Sequence, residues 1–185
     1  DSTADAAPWS EAGSLLAGLH LTSPPVSLHE PGGPGRLQRA VHRLQAGVRG
    51  TIVTDRLARV GRRLLSEVAA APEYRCLVHG DWHLGQMGRR TQTEGWRLID
   101  LEDLGVGDPA WDLGKPAGFW AAGLLEDEAW GEFLAAYRAA GGPAVPRTGD
   151  PWSRLDLPAR CAVFRAATGL VLHPEPEADG AAGLL

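Results

Sequence analysis

The sequence has few of the residues and segments that build disulfide frameworks, zinc sites and membrane spans. Its 185 residues include only two cysteines, Cys76 and Cys161, which are far apart and form no CxxC pair. We therefore expect two buried free thiols, with neither a disulfide framework nor a zinc knuckle. No apolar run reaches the roughly 18 residues that cross a bilayer, and the start DSTADAAPWSE lacks the basic and apolar parts of a secretory leader. These absences predict a cytoplasmic protein with no membrane partner.

Positive charge is also scarce. The chain has 18 Lys and Arg residues against 23 Asp and Glu residues, a formal net charge of −5, and Lys115 is its only lysine. Because a basic surface supplies most non-specific affinity for nucleic acid, this balance argues against a nucleic-acid partner. Hydrophobic residues make up 44% and charged residues 22% of the chain, as in an ordinary globular protein of one domain.

Apolar residues recur at helical spacing over most of the chain. Four prolines and GGPG predict a loop over residues 22–35, and Ser10 is predicted to cap the first helix. The predicted helices cover residues 10–20, 36–45, 55–71, 110–122, 127–140 and 151–173. In the third helix the predicted buried side consists of Leu57, Val60, Leu64, Leu65 and Val68, and its arginines are predicted to be solvated.

A short β-rich stretch interrupts the helices. Residues 74–78 are predicted to form a strand, and residues 86–89 and 96–101 flank the polar segment RTQTEG, which predicts a β-hairpin. The tail, residues 174–185, is predicted to be mobile. The sequence therefore predicts a single mostly helical α+β domain, residues 1–185, built around one small β-hairpin.

Two segments of this stretch carry carboxylates on loops beside short strands. They are HGDWHLGQ, residues 79–86, and IDLEDLGVGDPAWDL, residues 99–113. A strand end is a rigid support, and the glycines allow close approach of the backbone to a ligand, so these loops can hold acidic side chains against a metal and a phosphate. Asp108 differs from the others, since Gly-Asp-Pro before a helical run predicts a helix cap.

The order HGDWHLGQ, LIDLED and GDPAWDL resembles the aminoglycoside phosphotransferase and choline kinase-like family. Its sequences have an HGDxxxxN catalytic loop, then a hairpin, an ID-containing metal segment and a downstream DL; SLLAGLH, residues 14–20, is similar to an earlier helix of the family. The resemblance implies the C-terminal lobe of a protein-kinase-like fold. It also implies Mg²⁺-dependent transfer of the γ-phosphate of ATP to a hydroxyl of a small molecule, such as an amino sugar, a sugar or an amino alcohol.

The same resemblance assigns roles to individual residues. Asp81 would be the catalytic base and Asp100 a magnesium ligand, and Gln86, in the position of the family's asparagine, would be the second ligand. Asp112 would hold the catalytic loop by hydrogen bonds to its backbone, while His79 and His83 would support it. Acceptor-binding residues and the oligomeric state stay open.

The sequence departs from the family pattern at two points. Gln86 is one methylene longer than asparagine, although HLGQ also occurs in maltokinase-like members of the superfamily, so a maltokinase-like sugar kinase is an alternative. No strand-rich segment with a lysine precedes Pro72, and Lys115 comes after the metal segment. PGGPG, residues 31–35, is a phosphate-loop candidate, but a plain linker is the better interpretation. We therefore expect the nucleotide-clamping N-terminal lobe to be absent from this chain.

Three other interpretations remain open. On an extended segment His79, Asp81 and His83 would share one face and could bind the metal of a hydrolase, which would need further ligands. A non-catalytic kinase-like binding module would keep the fold without the reaction. The acidic loop, together with Glu175, Glu177 and Asp179 of the tail, would suit a cationic acceptor, although solvated surface acid explains them as well.

Overall fold

The computed structural model describes residues 7–25, 28, 32–47, 50–91 and 93–173. Over these residues the chain forms helices at both ends and short strands between them. The helices are α1 (Trp9–Leu21), α2 (Gly32–Ala46), α3 (Ile52–Ala69), α4 (Ala110–Ala121), α5 (Asp127–Ala139) and α6 (Trp152–Leu172). The strands are β1 (Cys76–Val78), β2 (Met87–Gly88), β3 (Arg97–Leu98) and β4 (Gly105–Gly107). The predicted mostly helical α+β class is confirmed, while the mobile tail lies outside the described residues.

The helix starts differ from the prediction more than the helix ends. Helix α2 begins at Gly32, so the glycines of PGGPG belong to its first turn and form neither a phosphate loop nor a linker. Pro34 fits there because the first turn of a helix does not use its backbone N–H groups. Ser10 lies inside α1 and does not cap it, since Pro8 holds the cap position without a side-chain hydrogen bond.

Helix α3 starts with a capping box. The Oγ1 atom of Thr51 accepts a hydrogen bond from Thr54 N at 3.1 Å, and Thr51 N donates to Thr54 Oγ1 at 3.2 Å. These bonds satisfy backbone donors of the first turn, so the helix begins before the predicted residue 55. Val60, predicted to be buried, is 48% exposed because the contact line with α2 and α6 follows Gly61 and Leu64.

The strands form two separate antiparallel pairs. The predicted hairpin is present as β2 and β3, with Met87 opposite Leu98 and Gly88 opposite Arg97. Strand β1 pairs with β4, with Leu77 opposite Val106, and β4 was missing from the prediction. Its Gly-Val-Gly sequence has no alternating pattern, so only the partner strand makes it extended.

Two apolar clusters organise the helices, and α6 contributes to both. The first joins α1, α4 and α5 beneath the catalytic loop and includes Trp82, Met87 and Leu155. The second joins α2 and α3 to Cys161 and Phe164 of α6. Cys76 and Cys161 are free, but only Cys161 is fully buried. Within the described residues, none of the helices combines the length and the hydropathy of a membrane span.

Candidate active site

The HGD segment leaves β1 through a turn that only glycine fits. Gly80 has a φ of 85°, and a Cβ at this position would overlap the carbonyl oxygen of Asp103. A side chain here would meet both backbone strain and a collision. Gly80 therefore brings the HGD loop directly against the loop that follows the hairpin.

Asp112 fixes the backbone of this turn. Its buried carboxylate accepts hydrogen bonds from His79 N at 2.7 Å and from Gly80 N at 3.0 Å. Asp112 lies in the first turn of α4, so a helix anchored in the first apolar cluster carries the acceptor of both bonds. Asp112, which was predicted to support this loop, thus contacts the loop backbone directly.

A buried chain of hydrogen bonds extends from Asp112 to α5. Nε2 of His20 lies 3.0 Å from Asp112 Oδ2, and its Nδ1 lies 2.7 Å from the hydroxyl of Tyr137. That hydroxyl also accepts a bond from Ala144 N, so Tyr137 joins His20 to the segment that follows α5. Burial raises the pKa of Tyr137, which keeps the phenol protonated.

His79 connects the HGD loop to the segment that contains Asp100. Its ring is fully buried, and its Nε2 lies 2.9 Å from the backbone carbonyl oxygen of Ile99. Ile99 directly precedes Asp100, so one imidazole sets the distance between the two motifs. The structure places His79 inside the scaffold rather than on an open surface.

Asp100 and Gln86 meet at the end of the hairpin. Gln86 Nε2 donates to Asp100 Oδ2 at 2.8 Å, and Asp100 is the only non-glycine residue among the described ones with positive φ, at 57°. Such a conformation costs about 1–3 kcal/mol and persists where the surroundings fix it. With this backbone conformation, the carboxylate of Asp100 lies against the buried amide of Gln86.

The chemistry of this pair fits magnesium. Carboxylate and amide oxygens are the hard donors that Mg²⁺ takes, usually one or two from the protein with the rest from water and phosphates. The hydrogen bond joins the two side chains through the amide nitrogen of Gln86, and a half-turn of the amide group would bring its oxygen beside the carboxylate. Among the described residues no three His, Cys, Asp or Glu side chains come close enough to hold a metal, so His79, Asp81 and His83 do not form the hydrolase-type site that their spacing allows.

Asp81 lies between two arginines from distant helices. Arg36 Nη1 of α2 is 3.0 Å from its Oδ2, and Arg165 Nη2 of α6 is 3.8 Å from its Oδ1. The other end of the Arg36 guanidinium binds Asp103. The Asp81 side chain keeps 31% of its surface exposed, so solvent and a ligand can reach it.

Lys115 and His83 complete the surroundings of Asp81. A small pocket beside Asp81 is lined by Trp111, Lys115 and Arg165. Burial lowers the pKa of Lys115, and the charge of Asp81 acts in the opposite direction. Burial also lowers the pKa of His83; Lys115 adds to this effect, while Asp81 and Asp100 oppose it. His83 therefore lies within electrostatic reach of both motif carboxylates.

The whole arrangement agrees with one family of known proteins. The model of the phosphotransferase enzyme family matches residues 4–154 of the chain, a range that includes HGDWHLGQ, the hairpin and the DL segment. The chain belongs to the phosphotransferase enzyme family. The resemblance inferred from HGDWHLGQ, LIDLED and GDPAWDL is thereby confirmed.

Solved structures of this phosphotransferase family share the fold. A type I macrolide 2'-phosphotransferase is 23% identical, with a TM-score of 0.58 over 91% of this chain and 54% of its own. The apoenzyme of the macrolide 2'-phosphotransferase MphH from Brachybacterium faecium is 19% identical, with a TM-score of 0.52 over 91% of this chain and 60% of its own. The chain thus spans little more than half of their length. No curated protein sequence matches it.

Several residues of the candidate site have no signal in the sequence. Arg36 and Arg165 flank Asp81 but lie 45 residues before it and 84 residues after it. His20 stands in the SLLAGLH segment, yet nothing there shows that it bonds to Asp112. Asp108 is different, since its Oδ1 accepts from Ala110 N at 2.9 Å, as the Gly-Asp-Pro pattern predicts.

Proposed function

We propose that this chain supplies the catalytic and metal-holding half of an ATP-dependent phosphotransferase, which moves a γ-phosphate to a hydroxyl of a small molecule. The observation that carries the proposal is the joint fixation of the two motifs. Asp112 holds the loop of Asp81, and His79 ties that loop to the segment of Asp100. Phosphoryl transfer needs positioning and charge compensation above all, and a rigid pair of loops provides positioning.

Asp81 has the chemistry of the base. Its carboxylate orients the acceptor hydroxyl and takes the proton while the acceptor oxygen bonds to the γ-phosphorus, and the bond from that phosphorus to the bridging oxygen of the nucleotide breaks. Arg36 and Arg165 hold the carboxylate from both sides, which fixes its orientation. Asp100 and Gln86 would hold Mg²⁺, which compensates the charge of the phosphates when bound.

The groups that clamp the nucleotide would come from outside these 185 residues. The described residues form only two-stranded sheets, and Lys115 is the only lysine of the chain. Lys115 lies beside Asp81, on the side of the base. We therefore assign the second half of the nucleotide site to the whole protein that contains this chain.

The names of the solved relatives do not determine the acceptor of this chain. The solved relatives are macrolide phosphotransferases by name, and at 23% and 19% identity they show the fold alone. Membership of the phosphotransferase family supports a small-molecule acceptor with a free hydroxyl group. The particular scaffold has to come from the surroundings of Asp81.

Asp81→Asn in the whole protein tests the proposal. We expect turnover to fall about 10²- to 10⁴-fold, because asparagine keeps the shape but accepts no proton. The measurement is ADP release with a panel of hydroxyl acceptors, with circular dichroism to show that the variant folds. Asp55→Asn is the matched control, since Asp55 is exposed on α3, and it should keep the parent turnover. Parent turnover in Asp81→Asn would overturn the assignment of the base.

A non-catalytic kinase-like binding module is the second candidate function. The ion pair between Arg36 and Asp81 favours it, because the guanidinium occupies a carboxylate oxygen that the base would offer to the acceptor hydroxyl. Such a module would bind a small molecule without releasing ADP. The same comparison of the parent, Asp81→Asn and Asp55→Asn separates the two candidates, since only an enzyme shows turnover that depends on Asp81.

A further inference from the structure

A wide groove runs along α2 from the position of Asp81. Its volume is about 710 Å³, and its walls include Arg36, Arg39, His42 and Arg43 of α2 and Arg165 of α6. The four α2 residues recur at intervals of three and four, so they stand on one face of the helix. The volume is that of a small-molecule site, and the groove begins where Arg36 and Arg165 contact the candidate base.

The groove holds more guanidinium groups than carboxylates. At its inner end Arg36 pairs with Asp81 and Asp103. In the described part of the chain no carboxylate lies within ion-pair distance of Arg39 or Arg43, and both are exposed. This concentration of positive charge contrasts with the net charge of −5 of the whole chain.

Two further observations show that these charges are crowded and only partly compensated. Burial lowers the pKa of Arg165, and Arg36, Arg39 and Arg43 add to this effect, while Asp81 opposes it. In addition, Nε of Arg36 is buried without a hydrogen-bond partner. Guanidinium groups that lie close together repel one another, and a bound anion relieves that repulsion. Guanidinium groups also bind phosphate and carboxylate in bidentate geometry.

We propose that this groove binds a phosphate or carboxylate group of the acceptor, so that the substrate is a hydroxyl compound with negative charge. The inference rests on the proposed function and specifies its substrate class. It also differs from the cationic acceptor that the acidic loop would suit, because Asp103 and Asp108 of that loop are paired with Arg36 and Arg154.

The position of the groove assigns it to the acceptor rather than to the nucleotide. Two of its wall residues, Arg36 and Arg165, contact Asp81, and in phosphoryl transfer the base faces the acceptor hydroxyl. Asp100, which with Gln86 is suited to the metal on the nucleotide side, forms no ion pair with a groove wall among the described residues, whereas Asp81 contacts two of them. An anionic group held by Arg39 and Arg43 would place the rest of the acceptor between them and Asp81.

The test uses the whole protein with MgATP and three matched classes of hydroxyl compounds. These are sugar phosphates with hydroxy acids, neutral sugars, and amino sugars with amino alcohols. We expect phosphotransfer to members of the first class. In the double variant Arg39→Gln with Arg43→Gln, we expect KM for the anionic acceptor to rise at least about tenfold, since charge-assisted hydrogen bonds are lost, while KM for ATP stays at the parent value.

Arg56→Gln with Arg59→Gln is the matched control, because it removes the same charge from exposed positions of α3 outside the groove. It should leave both KM values unchanged. A preference for neutral or cationic acceptors would overturn the inference and leave the proposed function intact. A rise in KM for ATP would assign the groove to the nucleotide phosphates instead. No transfer to any class, with no effect of Asp81→Asn on ADP release, would overturn the proposed function and the acceptor assignment with it.

Discussion

Lys115 places an ammonium group in a half-buried position next to the candidate base. It lines the pocket that also contains Asp81 and Arg165, and in the described structure no carboxylate lies within ion-pair distance of its Nζ. Burial is the largest influence on its pKa and lowers it, while Asp81 raises it. The folded protein therefore keeps a charge where a neutral group would be more stable.

We expect Lys115→Met to raise the stability of the whole protein at pH 7. The ordinary pKa of Lys115 is 10.5 and the folded value is lower, so in the window between them the unfolded chain binds a proton that the folded chain does not. The favourable contribution of Lys115 to the free energy of unfolding is therefore fully present above pH 10.5, and it is lost as the pH falls through the folded pKa. Methionine does not titrate, so the variant does not lose stability in this way. Its excess in unfolding free energy over the parent should therefore become smaller as the pH approaches 10.5.

Guanidinium unfolding of the parent and Lys115→Met between pH 7 and 10.5 measures this difference. Two parallel curves of unfolding free energy against pH would show that burial of this ammonium group costs no stability. A parent that is more stable at pH 7 would show that the attraction of Asp81 outweighs the burial.

The residues of the candidate site differ in how far the sequence can predict them. Asp81, Gln86, Asp100 and Asp112 lie in short motifs whose order along the chain carries the resemblance. Their catalytic and metal roles stay predictions until the variants are measured. Arg36, in contrast, reaches Asp81 because α2 packs against α6, and such a contact depends on tertiary packing that no local pattern records.

At the level of elements, α4 and α6 pack closely because glycines replace side chains in their interface. A Cβ at Gly114 would lie 2.8 Å from the carbonyl oxygen of Pro158, and one at Gly118 would lie 2.6 Å from that of Ala159. Real Cβ contacts with backbone oxygen are longer, so the helices would have to separate. This close packing keeps Asp112 of α4 and Arg165 of α6 beside the same loop.

Gly118→Ala should lower the free energy of unfolding by about 1–3 kcal/mol, because the added methyl group overpacks the interface between α4 and α6. Gly131→Ala on α5 is the matched control, since a Cβ there meets nothing within 4 Å. Alanine has the higher helix propensity, so this control should gain about 0.5–1 kcal/mol. Chemical unfolding of both variants measures the changes, and equal effects would show that the interface tolerates the methyl group.

Helices could be predicted from the sequence better than strands. Each predicted helix has a counterpart in the described structure because apolar residues repeat over many turns, and errors occur where capping decides the start, as at Thr51. The strands have two or three residues each, which is too short for an alternating pattern. Strand β4 exists because β1 offers it a partner, so its prediction needs the fold itself.

At the scale of the whole molecule, the greater length of the relatives bears on where the nucleotide is bound. The chain covers 54% and 60% of the two macrolide phosphotransferases. In the proposed reaction Asp100 and Gln86 hold a metal but leave most of the triphosphate without protein contacts. Cationic groups outside these residues would have to oppose the remaining phosphate charge.

We expect the 185-residue chain alone to show no phosphotransfer and to bind MgATP far more weakly than the whole protein. Both would be purified side by side and titrated with MgATP by calorimetry, with ADP release measured in parallel. Circular dichroism and a cooperative unfolding curve would establish that the shorter chain is folded. Comparable affinity and turnover in both would place the complete nucleotide site within these residues.

The continuity of α6 through both apolar clusters has a consequence for how such a protein can diversify. Leu155 and Ala159 pack beneath the catalytic loop, whereas Cys161 and Phe164 pack beneath α2. The exposed residues Arg39, His42 and Arg43 of α2 stand on the second cluster, so selection can exchange their side chains without replacing Arg36 and Arg165, which hold Asp81. In the proposed enzyme, the residues of the reaction can therefore stay the same while the residues that select the substrate change.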